Sequence, residues 1–323
     1  MKNTRQNILA YSAKHLEQLG PLRPLEYIAL DLDCGCDFDC IDCCNDRSLP
    51  RDIKKLSLEE INGLLDEAKD LGARVLVFMG VKEPTLDPRF KRIVQLGYEK
   101  EMAPYVFSNG GLGLNDDMIL FLHDHNASLV VQLKSLQEDV FEEHNRVPGS
   151  FRPFMKHMEN LRKVFLDSYD QINEYGLRRV ATNTVVDDSN KHELSQIRDF
   201  CGDDFVAVFN TEMEIGAAKD NPDIRVTPEI TRTIKTVTPD MIPLGTTSDG
   251  SYCAYMRNGL AILEGEVLLC PYSLESAGKL GRVKRLKDLI GIANAKVQWF
   301  YAGKPPRCIL RDERYNKLIE SLE

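Results

Sequence analysis

Six strand-length apolar runs, Glu26–Leu32, Arg74–Met79, Pro104–Ser108, Ser128–Leu133, Arg178–Val186 and Asp204–Asn210, alternate with amphipathic stretches. Helices are expected between them at Ser57–Leu71, Pro88–Lys100, Asn115–His125, Ser150–Tyr175 and Ser189–Phe200. Ser57 and Glu60 make a capping box, Gly72 stops that helix, and Pro88 suits a helix start. Strands joined by helical crossovers form parallel sheets whose ligands sit at the carboxyl ends of the strands. Six units are too few for a closed eight-stranded barrel, so the expected fold class is α/β, a partial (β/α)6 TIM-like barrel over residues 25–226. Residues 1–24 precede it, with one helix expected at Arg5–Leu19, and residues 227–323 form a smaller C-terminal α+β unit.

The loop after the first run reads LDCGCDFDCIDCC and sets Cys36, Cys40 and Cys43 in a Cys-x3-Cys-x2-Cys array. A cubane of four irons needs four ligands, so three thiolates on one loop would leave one iron for a non-protein ligand. Structural zinc is the alternative, but it takes four ligands, usually from two Cys-x2-Cys pairs, and the Cys40/Cys43 pair has no second pair nearby. Disulfides fit less well, because 9 cysteines is an odd count and 323 residues can bury a core without staples. The N-terminus lacks the charged start, apolar stretch and small-residue cleavage site of a secretory signal, so a reducing cytoplasm is expected.

Composition limits the partners. At 43% hydrophobic and 28% charged residues the chain is globular, and its longest apolar runs are strand-sized, so no membrane span is expected. A net charge of -9 with interspersed signs argues against a nucleic-acid partner, which needs a clustered cationic face. The short basic run Arg282–Lys287 reads as a solvated helix edge.

MGVKEPTLDP follows the second run and FSNGG the third, each at a strand end. Singly these are ordinary turns; their order behind the cysteine loop is what carries information. In that combination the chain resembles the radical S-adenosylmethionine (AdoMet) superfamily. CDFDCIDC matches its cysteine signature, VKEPTLDPRF is similar to its Gly-Gly-Glu-Pro segment, VFSNGG to its Thr-Asn-Gly turn, and VVQLKSLQEDVFEEHNRVPGSF to its fourth-strand region.

The resemblance implies a [4Fe–4S] cluster on Cys36, Cys40 and Cys43 whose open iron takes the amino and carboxylate groups of AdoMet. It implies reductive cleavage to methionine and a 5′-deoxyadenosyl radical that abstracts hydrogen. By the same correspondence Glu83 meets the methionyl ammonium, Gly80 is a further cofactor-binding residue, Ser108 and Asn109 meet the methionyl carboxylate or ribose, and Gln132 and Ser135 the ribose hydroxyls. Phe38 either covers the cluster or adenine or anchors its loop to the barrel. Three departures stand out. Asp42 replaces the aromatic residue that stacks near adenine, so that contact is rebuilt or rests on backbone; Val81-Lys82 replaces Gly-Gly; and Lys134 replaces an aspartate.

Farther on, YCAYMRNGLAILEGEVLLCPYS spaces Cys253 and Cys270 around a hairpin, Leu260–Leu263 and Glu266–Leu269, that turns at Glu264-Gly265, and Cys308 follows in PPRCILRDERY. This is similar to the SPASM or shorter twitch extension and implies one auxiliary [4Fe–4S] cluster on Cys253, Cys270 and Cys308. Substrate, Cys201, Cys34 or Cys44 would close the set, Cys201 first among them. Three inert buried thiols are the alternative. Trp299, Phe300 and Tyr301 would cover that second cluster or stack on substrate.

The implied activity is an oxidoreductase or related C–H functionalising enzyme acting on a small molecule, such as a sugar, cyclitol or natural-product intermediate, with a reductant such as flavodoxin or ferredoxin. Peptide maturation is the enzymatic alternative; peptide-modifying members commonly carry a leader-binding domain, and only about 24 residues precede the first strand here. An iron–sulfur redox or sensor protein is the alternative of another class. No histidine stands at ligand spacing from a cysteine, and no general acid or base is identified; Glu212, Glu214 and Arg257 are candidates by position alone.

Overall fold

The computed structural model describes residues 25–32, 34–44, 55–79, 82–166, 179–211, 216–220, 227–237, 258–263, 265–270, 279–282 and 285–301. Four of the five residues of β1 (Tyr27–Asp31) are buried, as expected of a central parallel strand covered on both faces. There follow α1 (Leu58–Asp70), β2 (Val75–Phe78), α2 (Phe90–Glu99), β3 (Ala103–Ser108), α3 (Asp116–Asp124), β4 (Ser128–Gln132), α4 (Glu138–Asn145) and α5 (Phe151–Leu166). Next come β5 (Val180–Val186), α6 (Leu194–Cys201), β6 (Val206–Thr211), α7 (Pro228–Val237), β7 (Gly259–Leu263), β8 (Glu266–Leu268), β9 (Lys279–Arg282) and α8 (Leu286–Tyr301).

One nine-stranded sheet has the order β6-β5-β4-β3-β2-β1-β7-β8-β9. β1 to β6 are parallel sequential neighbours, and β7 joins the other side of β1, also parallel, from Tyr27↔Gly259 to Asp31↔Leu263. β8 and β9 continue as antiparallel neighbours. This is the α/β partial barrel that the strand–helix alternation predicts. The strand period of 2 sorts the core into two layers. Tyr27, Ala29, Val77, Tyr105 and Val130 share the inner face, whereas Leu30, Phe78, Val106 and Val131 pack against helices. Phe78 meets Phe90 of α2 edge-on at 4.8 Å, a pairing worth about 0.5–1.5 kcal/mol beyond area burial.

Local signals act as read at several places. The Ser57 hydroxyl accepts the Glu60 N–H at 3.1 Å and the Glu60 carboxylate accepts the Ser57 N–H at 2.8 Å, so two of the orphan donors at the start of α1 are satisfied. Gly265 has φ 84°, the left-handed backbone that the β7–β8 turn requires; Glu264 lies outside the described residues. Two boundaries differ. Helix α6 starts at Leu194, not Ser189, because the Asp187 carboxylate accepts the Ser189 N–H at 2.8 Å and Asn190 Oδ1 accepts the Asp187 N–H at 3.0 Å, a local turn that competes with the helix. Helix α2 starts at Phe90, after a turn over Pro88 and Arg89. The expected helix Arg5–Leu19 and the end of the expected helix Ser150–Tyr175 lie outside the described residues.

Candidate functional site

The β1 loop, residues 34–44, is tied down from three directions. Carbonyls at the end of α4, which have no partners within their own helix, accept its N–H groups: Asp39 N to Asn145 O and Ile41 N to His144 O, both 3.0 Å. Phe38 is 8% exposed and meets Phe141 of α4 edge-on at 6.1 Å, the packing of a loop anchor. From the segment after β6, the Ala217 N–H donates to Cys43 O at 2.8 Å. Gly216 has φ 61°, and a Cβ there would stand 2.3 Å from the carbonyl carbon of Cys44. The loop is therefore held mainly through its backbone, with Cys36 exposed and Cys40 and Cys43 half-buried.

Asp42 is turned inward. Its Oδ1 lies 2.9 Å from His144 Nε2 and its Oδ2 3.7 Å from Lys134 Nζ. Lys134, 1% exposed just past β4, also reaches Asp187 Oδ2 at 2.6 Å and Val185 O at 3.3 Å. Burial alone would raise the Asp42 carboxyl, but His144 and Lys134 outweigh it and hold it below the ordinary carboxylate range. Asp187 is lowered in the same way: burial raises it and Lys134 more than reverses that. The Asp42 carboxylate is thus committed to His144 and Lys134, and Lys134 is a buried counter-ion to two carboxylates. Although no histidine stands at ligand spacing from a cysteine in the sequence, the fold brings Cys40 Sγ, an Asp42 oxygen and a His144 nitrogen within 4.8 Å of one another. The partners are more than a hundred residues apart in sequence, so no spacing motif reveals them.

Across the strand ends sits Glu83, 1% exposed, opening a short 3-10 turn at Pro84–Leu86. Its Oε1 accepts Ser108 Oγ at 3.0 Å and also the Thr85 hydroxyl; its Oε2 accepts the Asn109 N–H at 2.7 Å. Burial raises the carboxyl to about 7, against the opposing pull of these donors. Asn109 also turns Nδ2 toward Cys36 Sγ at 3.6 Å and Asp37 Oδ1 at 2.7 Å. The glycines beside it are required: at Gly110 (φ 75°) a Cβ would meet Phe154 at 2.6 Å, and at Gly111 it would meet Asp37 at 2.3 Å. Gly80 and Val81 lie outside the described residues.

On β4 and its neighbours, Gln132 Oε1 accepts Asn183 Nδ2 at 2.7 Å, and Asn183 Oδ1 in turn accepts Asn210 Nδ2. These amides form a row across β4, β5 and β6 that a reading of single motifs misses. Ser135 is buried with its hydroxyl given to Glu193 at 2.7 Å, so it stands away from this row.

The other cysteines are placed as follows. Cys34 Sγ donates to Glu83 O at 3.0 Å, and burial with nearby Asp87 pushes its thiol up to about 12. Cys201 is buried in the helix-facing layer, 3.2 Å from Thr182 Oγ1. Cys270 is buried two residues beyond Leu268, which pairs with Ala261. Because β8 runs antiparallel, Cys270 lies toward the amino ends of the barrel strands, opposite the end that carries Cys36. Cys253, Cys308, Glu212, Glu214 and Arg257 lie outside the described residues, and only the backbone of Trp299, Phe300 and Tyr301 is described, at the end of α8.

The donor set suits an iron–sulfur cluster. Three thiols share one loop, and a Cβ added at Gly35 beside them would meet no atom within 4 Å, so the space outside the loop is open. Burial raises the Cys36 thiol and raises Cys40 further, with Asp42 adding to it, so metal binding displaces protons there. A family model described as the Radical SAM superfamily matches residues 34–201, more than half of the chain. The chain belongs to the radical SAM superfamily.

Radical SAM enzymes use a [4Fe–4S] cluster and AdoMet. Streptococcus suis SuiB bound to the precursor peptide SuiA is similar with a TM-score of 0.65 and 17% identity, over 83% of this chain and 64% of that one. SuiB bound to S-adenosylmethionine gives 0.64 at 17% identity, over 88% of this chain and 67% of that one. Native anSMEcpe with bound AdoMet gives 0.62 at 13% identity, over 86% and 84%. At these identities the likeness is one of fold, and the chain spans about two thirds of the SuiB length. No curated protein matches the chain in sequence. Among the described residues no helix is long and apolar enough to cross a membrane.

Proposed function

We propose that Cys36, Cys40 and Cys43 ligate the cluster, that AdoMet binds its open iron, and that the enzyme abstracts hydrogen from a small hydroxylated molecule. The carrying observation is Asn109: one residue reaches Cys36 through its side chain and Glu83 through its backbone, which puts the thiols and a buried carboxylate in one site. With both groups bound, the site would supply one-electron reductive cleavage of AdoMet to methionine and a radical able to abstract hydrogen. Glu83 accepts an N–H of the methionyl amino group in a site dry enough to make that hydrogen bond strong. Ser108 and Asn109 orient that carboxylate, Gln132 meets the ribose, and Gly80 belongs to the same β2 loop. Phe38, Asp42 and Ser135 serve by holding the loop and the end of β4. The amide row Gln132–Asn183–Asn210 offers the donors and acceptors that a sugar or cyclitol would use.

The reading extends to a SPASM- or twitch-like auxiliary cluster on Cys253, Cys270 and Cys308 within residues 227–323. Its support is the β7–β8 hairpin, with Cys253 six residues ahead of β7 in sequence and Cys270 just after β8. A cytoplasmic oxidoreductase supplied by flavodoxin or ferredoxin completes it. Peptide modification is the second reading, favoured by the fold shared with SuiB, which was captured on a precursor peptide. Anaerobic reconstitution followed by dithionite and AdoMet tests the proposal: 5′-deoxyadenosine is expected, and its absence would sink it. About eight irons per chain supports two cubanes, and about four removes the auxiliary cluster.

A further inference from the structure

Asn145, the last residue of α4, is 3% exposed and stands directly against the cluster loop. Its carbonyl holds the Asp39 N–H at 3.0 Å, and its side-chain Oδ1 accepts from Cys40 Sγ at 3.4 Å. Its Nδ2 is buried with no hydrogen-bond partner. A buried amide donor left unmade is unfavourable, and an amide oxygen facing the sulfur suits Cys40 only while that sulfur carries a proton. As a cluster ligand the sulfur carries none and can only accept. Turning the amide about χ2 by half a revolution exchanges Oδ1 and Nδ2 in place, relieves the oxygen–thiolate contact and gives the orphan donor an acceptor.

We infer that Asn145 is a positioning residue for the cluster, donating an Nδ2–H···Sγ hydrogen bond to Cys40 that raises the cluster's reduction potential. The inference rests on Cys40 being a cluster ligand. Hydrogen bonds to ligating sulfur withdraw electron density and favour the reduced form of an iron–sulfur cluster. The step affected is [4Fe–4S]2+ plus one electron giving [4Fe–4S]+, with dithionite as donor in the assay. The surroundings keep the amide in place. The His144 and Asn145 carbonyls clamp the loop backbone, and the buried Asp42–His144 contact fixes the neighbouring side chain, so the sulfur and the amide cannot drift apart while the loop is folded.

The test is an EPR-monitored redox titration of the full-length, cluster-loaded protein without AdoMet, comparing wild type, Asn145→Leu and Asn145→Asp. Both substitutions remove the donor, and the midpoint is expected to fall, with a change of about threefold or more in the one-electron equilibrium, ~28 mV at ~59 mV per decade. A loaded Asn145→Leu protein with an unchanged midpoint overturns the inference. If neither variant loads, nitrogen couplings in protein that keeps Asn145 decide. In Asn109→Ala protein labelled with 15N-asparagine, pulsed EPR of the reduced cluster is expected to resolve a coupled nitrogen, and its absence is equally fatal. Failure of the underlying reading looks different: Cys40→Ala would then keep its full iron content.

Discussion

The backbone N–H of Asn109 donates to Glu83 Oε2 at 2.7 Å, binding the end of β3 to the loop after β2. The carboxylate that AdoMet would use is thus fixed before any ligand arrives, and its protonation becomes the variable.

Burial raises Glu83 from an ordinary 4.5 to about 7. Between those values the unfolded chain has released the proton that the folded chain keeps. The stability of the ligand-free protein therefore falls as pH rises through that window, by about 3 kcal/mol in all. AdoMet affinity runs the other way, because the N–H groups of its iron-bound amine need an ionised carboxylate to accept them, and it should climb from pH 6 to 8. Calorimetric titration of cluster-loaded enzyme at pH 6, 7 and 8 should show that slope for wild type and a flat, weak profile for Glu83→Gln. A flat wild-type profile would contradict the assignment.

Lys134 is a buried cation between two carboxylates. Lys134→Met leaves Asp187 and Asp42 buried without it, and removing one partner of a buried pair costs about 3–5 kcal/mol. Urea denaturation should record a loss of that size; a change below about 1 kcal/mol would mean that water replaces the ammonium.

Gly216→Ala pushes a Cβ to within 2.6 Å of the Cys43 carbonyl oxygen in a left-handed backbone. The loop must move to admit it. Iron per chain after reconstitution should drop well below wild type while far-UV circular dichroism stays unchanged; normal iron loading would show that the loop yields at no cost.

Cys201 is enclosed beside Thr182 in the helix-facing layer, whereas Cys270 follows the hairpin. Cys270→Ala should lose about four irons from a protein that otherwise carries about eight, and Cys201→Ala should lose none. Iron loss in Cys201→Ala would restore it as the closing ligand.

The six parallel strands are legible in the sequence because each is a short apolar run between helical periods, and a capping box or a Gly-Gly turn acts within a few residues. Helix α4, EDVFEEHN, escapes because only Val140 and Phe141 carry an apolar signal in its 8 residues. The Lys134, Asp187 and His144 arrangement escapes for a different reason. Lys134 follows β4, Asp187 follows β5 and His144 lies in the last turn of α4, and only parallel packing of the strands turns three unrelated polar positions into one buried group. Asp42 illustrates the limit: the sequence marks it as a departure, and the fold supplies the Lys134 ammonium and the His144 ring that explain it.

The pairing of β7 with β1 has a consequence for how the chain stays out of trouble. Without β7, β1 would be the outer strand of an open six-stranded sheet, five residues of largely apolar backbone able to recruit a strand from another molecule. The hairpin is thus the cover of that edge. Cutting the chain ahead of residue 258 to obtain a minimal barrel would expose a self-associating surface, so the C-terminal segment protects the barrel from aggregation whatever metal it holds.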